Sequence, residues 1–371
     1  MTRAPEQEVE EPRPPGDDHD DDDRGLEFTT RGVLTLCGFL AAMILALYLL
    51  LPQLAGLEDT WERIQDGSPF WILVALAFAL GMFWGYIEMF RGVFSKVGKG
   101  IIGRTESYLI TMAGLAASRL FAAGGAGGLV LQAWALRQAG LGRRVVADKT
   151  ISFLVLTYFP YAAAVLICGL GLRTGLFPGE APVGMTLVPA VIALIMMGVA
   201  ALILLVPTDL QRRLDGFARR TGHIGRIAQR LASVPAASSA GLHDAIAHLR
   251  SRDPALFGAI AFWAFQIAVL WAAFHAFGDP PPLAVLVQAF FVGMLGNLLP
   301  IPGGVGGVEG GMIGSFAAFG VDAGLAVVAV LVFRALTFWL PLLPGVFAFF
   351  KLRARVELWR RERGATIQSK A

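Results

Sequence analysis

Six stretches of this chain run for 19 to 28 residues with almost no charge: Val33–Leu51, Phe70–Phe90, Ile151–Leu172, Val183–Val206, Leu256–Phe277 and Ala323–Phe350. A helix of about 20 apolar residues crosses a hydrocarbon core of about 30 Å. Charged residues make up 16% of the 371-residue chain, against about 25% in soluble domains. That leaves too little polar surface to cover the apolar mass in water. The fold class expected is therefore an all-α integral membrane protein, a polytopic helical bundle with about six full spans. The first run follows a long acidic segment, not the short basic start of a cleavable signal peptide, and is expected to be a retained anchor.

Two further apolar regions are interrupted. Tyr108–Ala139 is broken by Gly124-Gly125-Ala126-Gly127-Gly128, and Leu283–Gly320 by Pro300-Ile301-Pro302-Gly303-Gly304-Val305-Gly306-Gly307. Glycine and proline both unwind a helix, and the arms on either side are mostly too short to span. Unwound backbone at membrane depth survives only where protein or water satisfies it. Each region is expected to form a Gly-rich re-entrant hairpin.

Lys and Arg give the orientation. Segments 91–107, 137–149, 207–255 and 351–371 carry four, four, eight and seven of them, whereas the intervening loops carry only Arg63 and Arg173. The positive-inside rule places the first set, and with them both termini, in the cytoplasm of a bacterial-type inner membrane. The first hairpin then enters from the cytoplasm and the second from outside. The order of run, hairpin, run occurs at 70–172 and again at 256–350, which reads as an inverted-topology repeat of the kind built into many transporters.

Residues 1–32 hold four Arg against eleven acids, and the rest of the chain 27 basic residues against 17 acidic ones. The first segment is expected to be a disordered acidic cytoplasmic tail. The basic excess elsewhere flanks apolar runs, which fits lipid headgroups better than nucleic acid. In the cytoplasmic loop 207–255, Leu210, Leu214 and Phe217 share one helical face, as do Ile224, Ile227 and Leu231; amphipathic helices on the inner leaflet and a plain connector are both compatible with this. Residues 351–371 form a basic cytoplasmic tail. Cys37 and Cys168 lie in apolar runs with no disulfide or metal spacing. No cofactor, metal site or catalytic constellation is expected.

The charged residues at depth are few. Glu309 falls in the first turn of the helix after the second Gly break, where a dipole favours an acid, and inside an apolar hairpin, where an ionisable group is usually functional. Arg334 is the twelfth residue of the last run, too deep to reach an interface easily, so it needs Glu309 or a lipid phosphate as partner. Arg119 stands just before the first Gly break. Asn297, Gly303, Gly304, Gly306 and Gly307 complete the expected substrate-binding set, the glycines allowing a headgroup close to the backbone. Glu88 near its span end, His275, Gln266 and Gln288 are weaker candidates, the two Gln as bridges between helices.

The stretch Leu298-Leu299-Pro300-Ile301-Pro302-Gly303-Gly304-Val305-Gly306-Gly307-Val308-Glu309, followed by Arg334, resembles the lysylphosphatidylglycerol synthase transmembrane family, or flippase-like domain proteins. That family includes the membrane half of multiple peptide resistance factors and the membrane part of some archaeal dolichol-linked glycosyltransferases. The resemblance covers about residues 33–350. It departs from the family pattern after the first glycines, where Gln132 and uncharged neighbours replace charged residues. It implies a lipid flippase or scramblase, with anionic or aminoacylated phospholipid or a polyprenyl-phosphate-linked sugar as lipid partner, and a second copy or a separate synthase as protein partner. It does not imply aminoacyl transfer, so the chain is expected not to be an enzyme. A membrane-embedded transferase on a lipid-linked substrate, a small-solute transporter and an accessory subunit remain alternatives.

Overall fold

A computed structural model of the protein describes Gly38 and residues 67–98, 101–120, 126–204, 241–248, 250–251, 253–299 and 304–368. The acidic segment 1–32, the first apolar run apart from Gly38, both amphipathic faces of the 207–255 loop, Gly124, Gly125 and Pro300–Gly303 lie outside the described residues. So does the question of a first span.

Within them the chain is helical, with no β-strand. The first half holds α1 (Pro69–Phe94), α2 (Arg104–Leu120), α3 (Ala126–Gln138), α4 (Arg143–Arg173) and α5 (Val183–Leu204). A short helical stretch at 241–248 precedes α6 (Pro254–Phe277). Then come α7 (Leu283–Met294), a tight turn of 3₁₀ helix at Leu295–Leu298, and α8 (Gly307–Ala318). The chain closes with α9 (Ala323–Arg334), a π-helical turn at Ala335–Trp339, and α10 (Leu342–Gln368).

Five helical segments are long and apolar enough to cross a membrane: α1, α4, the Val183–Ile203 part of α5, α6, and the continuous path Ala323–Glu362. The interrupted regions give shorter helices, of 17 and 13 residues for α2 and α3 and 12 each for α7 and α8. α2 packs on α3, and α7 on α8. Residues 351–368 are helical and prolong α10, because their Arg, Glu, Leu and Ala residues favour helix and no Pro interrupts them.

The starts of these helices are written locally. Pro254 occupies the first helical position of α6, and Asp253 caps it by accepting from the Ala255 N–H at 3.2 Å. Asp322 caps α9 through the Leu325 N–H at 2.8 Å. Both satisfy donors that a helix start leaves open.

Packing between the halves is close and reciprocal. α1 lies along α6 at backbone distance: a Cβ on Gly85 would stand 2.8 Å from the Phe262 nitrogen, and one on Gly92 2.6 Å from that of Ala255. Lipid gives no hydrophobic drive between helices, so small residues and close van der Waals contact hold such a pair. α2 packs against α10, and α7 packs against α4. Each interrupted pair thus leans on a long helix of the other half. On the periphery, α5 exposes Ile192, Ile195, Met196 and Leu202, a surface stable only against acyl chains.

At the N-terminal end of α6 a polar cluster ties three elements together. Lys149 Nζ meets Asp244 Oδ1 at 2.8 Å, and Lys96 pairs with Asp253. His248, 4% exposed, has its ring nitrogens 3.5 and 3.3 Å from Asp244 and Asp253. Burial pushes the Asp244 carboxyl up, but the facing His248 and Lys149 outweigh it and hold it below the usual carboxylate range. A depressed carboxylate adds stability at neutral pH that is lost as pH falls from its unfolded value, about 4, toward the folded one. Asp244→Asn is therefore expected to lower the melting temperature at pH 7, with the deficit narrowing below about pH 4. Thermal unfolding in detergent across that range checks it; a deficit independent of pH would show that charge is not what Asp244 contributes.

Candidate functional site

The second interruption is built by glycines that do different jobs. Gly304 and Gly306 have φ of +63° and +83°, where a side chain is strained. A Cβ on Gly304 would also stand 2.5 Å from Asn297 Oδ1. Asn297 itself donates from Nδ2 to the Met294 carbonyl at 3.2 Å, so Asn297 and Gly304 brace the break from its two sides. Gly307 opens α8 against the 3₁₀ turn, where a Cβ would lie 2.9 Å from the Gly296 carbonyl oxygen. Gly310 and Gly314, one turn apart on α8, meet nothing within 4 Å and form an open face. Gly303 lies outside the described residues.

Glu309 stands at the third position of α8 and reaches back to the helix start. Its Oε2 accepts the Gly306 N–H at 2.7 Å, half of a capping box. Its Oε1 accepts from Arg334 Nε at 2.7 Å. Glu309 is 1% and Arg334 5% exposed, so this is a fully desolvated pair that joins α8 to the end of α9. The expected partnership of these two residues, 25 positions apart, is present in the structure.

Arg119 reaches the same place from the other half. Its Nη2 donates to the Thr337 carbonyl at 2.8 Å. That carbonyl is free for a local reason: four residues on stands Pro341, which has no N–H to return. The chain answers with a π-helical turn at Ala335–Trp339, a feature frequent at functional sites. The Phe338 ring in this turn receives both cations, with Arg334 Cζ 4.1 Å and Arg119 Cζ 5.1 Å from its centroid. The structure thus brings Glu309, Arg334, Arg119 and the glycines of the second break into one neighbourhood, with Phe338 and Thr337 as members that were not anticipated. Pro341 was the readable signal for them.

The weaker candidates fall elsewhere. Glu88 accepts from Arg91 Nε at 2.8 Å, three residues along α1. His275 stacks on Trp71 and meets Trp271 edge-on, at centroid distances of 4.5 and 4.4 Å. Gln288 bridges α7 to α5 through the Met185 carbonyl at 2.8 Å. Gln266 is buried with Nε2 unpaired. Gln132 donates to the Tyr86 hydroxyl at 3.4 Å, linking α3 to α1. Among the described residues no group of His, Cys, Asp and Glu is arranged to hold a metal ion.

Helices of spanning length, lipid-type packing and a charged cluster buried among them define a multi-pass membrane protein. The chain belongs to the lysylphosphatidylglycerol synthase TM region family, which it matches over residues 36–345. It is also similar to proteins of Methanothermobacter thermautotrophicus described as UPF0104 membrane proteins. One is 35% identical over 109 residues, 29% of this chain and 31% of the relative. A second match is 33% identical over 87 residues, 23% and 26% of the two chains. The chain therefore spans less than a third of the length of the curated relatives it matches.

The buried pair makes a direct prediction. Removing one partner leaves an unpaired charge at a cost of about 3–5 kcal/mol. Glu309→Gln and Arg334→Gln are each expected to be strongly destabilised, and the double variant clearly less than their sum. A thermal double-mutant cycle checks it; additive losses would mean that the two side chains do not share an environment.

Proposed function

We propose that this protein is a lipid flippase or scramblase. It moves a phospholipid or a polyprenyl-phosphate-linked lipid between the leaflets of the inner membrane, with its termini in the cytoplasm. The observation that carries this reading is the buried charge cluster where the first interrupted pair meets the second half. A headgroup cannot enter hydrocarbon without something to replace its water. Glu309, Arg334, Arg119 and the backbone of the Gly break provide polar groups at that depth, while the acyl chains stay in lipid outside.

The family supports a role in membrane lipid handling, and the reciprocal packing of α2 on α10 and α7 on α4 supports an inverted repeat with two re-entrant hairpins. In that arrangement Ala126 is reached from the cytoplasm and Val305 from outside. Single Cys variants at these positions, in a background lacking Cys37 and Cys168, are expected to react with an impermeant thiol reagent from opposite sides. Labelling of both from one side would defeat the inverted topology.

Transport is tested in vesicles carrying fluorescent headgroup-labelled lipids, read by dithionite quenching. The parental protein is expected to expose inner-leaflet label to quenching. Bulk is best added where it does not touch the fold. Gly304→Val and Gly307→Val collide with Asn297 and with the Gly296 backbone, whereas Gly310→Val enters open space. Gly310→Val is expected to keep the parental melting temperature and to lose translocation. Leu176→Ala, in the exposed loop after α4, is expected to change neither. A folded Gly310→Val protein that translocates at the parental rate would remove the open face of α8 from the lipid path.

A further inference from the structure

The three charges of the cluster do not balance. Glu309 has both oxygens committed, one to the Gly306 N–H and one to Arg334. Arg119 has no carboxylate within ion-pair distance among the described residues. Its Nη2 is held by the Thr337 carbonyl, while its Nη1 is buried with no hydrogen-bond partner. Two residues beyond that carbonyl, the Trp339 indole N–H is also buried and unpartnered. Both orphans are donors, and neither has an acceptor. A buried unpaired donor costs about 1–3 kcal/mol, more for a charged group, so an acceptor from outside the chain at Arg119 Nη1 would relieve that cost.

We infer that Arg119 receives an oxyanion, a phosphate group, through Nη1. The chemistry follows from the donor set. Guanidinium forms its strongest hydrogen bonds with phosphate and carboxylate, and an indole N–H offers only a donor. A zwitterion's cationic end finds no free carboxylate here, because Glu309 is already neutralised, so selection acts on the anionic part of the headgroup. The Nη2 tie to Thr337 holds the guanidinium, and the Phe338 ring lies against both cations.

The assignment rests on the lipid reading above and sharpens it, but its test reads binding and not transport. Purified protein in a neutral maltoside detergent is titrated with short-chain phosphatidylglycerol, with the matching uncharged diacylglycerol, and with inorganic phosphate, and the melting temperature is followed. A ligand that binds only the folded state raises it with concentration. Stabilisation by phosphatidylglycerol but not by diacylglycerol is expected. A comparable rise with inorganic phosphate would assign the site to a free anion, and would overturn its assignment to a lipid headgroup.

Arg119→Gln is expected to lose the phosphatidylglycerol-dependent rise, and Arg119→Lys to retain part of it. Leu176→Ala, in the exposed loop after α4 and away from the cluster, is expected to keep the rise in full. A merely structural Arg119 would lower the starting melting temperature and leave the rise intact, which overturns the inference. If neither Arg119 variant folds, the unmodified protein decides: equal response to the charged and uncharged lipids defeats it. Arg119-dependent binding without lipid movement in vesicles would sink the flippase reading and leave this site standing; translocation with an unaltered rise in Arg119→Gln would do the reverse.

Discussion

A carboxylate enclosed among apolar helices has to be neutralised by groups the chain itself supplies, and most of the second half is arranged around that requirement for Glu309. Its two oxygens take one backbone donor and one guanidinium nitrogen, and each bond fixes something larger. The Gly306 bond sets where α8 begins. The Arg334 bond sets how α8 sits against the end of α9. Arg334 in turn needs a surface for the rest of its guanidinium, and the Phe338 ring provides one. That ring is placed by the π-helical turn, which Pro341 favours by withholding a donor. Loss of the carboxylate would therefore strand a cation, loosen a helix start and free an aromatic ring together.

The second constraint is distance between backbones. Gly85, Gly92, Gly296 and Gly307 stand where a side chain would collide with main-chain atoms of a facing helix. At Gly304 and Gly306 the φ angle itself demands glycine. Gly310 and Gly314 meet neither demand. A Gly-rich sequence thus hides three different physical roles, and only geometry separates them. This matters for function, since the family-like glycines of the break are mostly braced against protein, whereas the unconstrained ones lie a turn or two into α8.

Much of the architecture was legible because periodicity hardly matters for helices surrounded by lipid. Length and apolarity alone marked the spans from Phe70 onward, and Gly and Pro marked where the short arms end. The Glu309–Arg334 pair was legible for a related reason: few charges occur at depth, so partners can be matched by elimination. What remained hidden were interactions made by groups with no sequence signature of their own. The Thr337 carbonyl is one, readable only through Pro341 four residues later. The Lys149–Asp244–His248–Asp253–Lys96 cluster is another, since its members belong to loops whose charges read equally well as topology signals. The helical continuation of α10 to Gln368 carries no apolar run and so had no mark of its own among the basic residues after the last span.

The two halves exchange equivalent contacts, yet they are not equivalent chemically. The second half carries a matched anion and cation, Glu309 on α8 and Arg334 at the end of α9. The first contributes a single cation, Arg119, and hands it to the second half through Thr337. If the halves form the inverted repeat proposed here, this charge asymmetry gives the two sides of the membrane different surfaces. In the inverted arrangement proposed here, a headgroup arriving from either side meets one common cation, and the pair Glu309–Arg334 lies on one approach only. Backbone symmetry would then permit movement in both directions, while the asymmetric charge sets where along the path the headgroup rests. In the proposed arrangement that resting point would fall at Arg119, whose Nη1 has no hydrogen-bond partner.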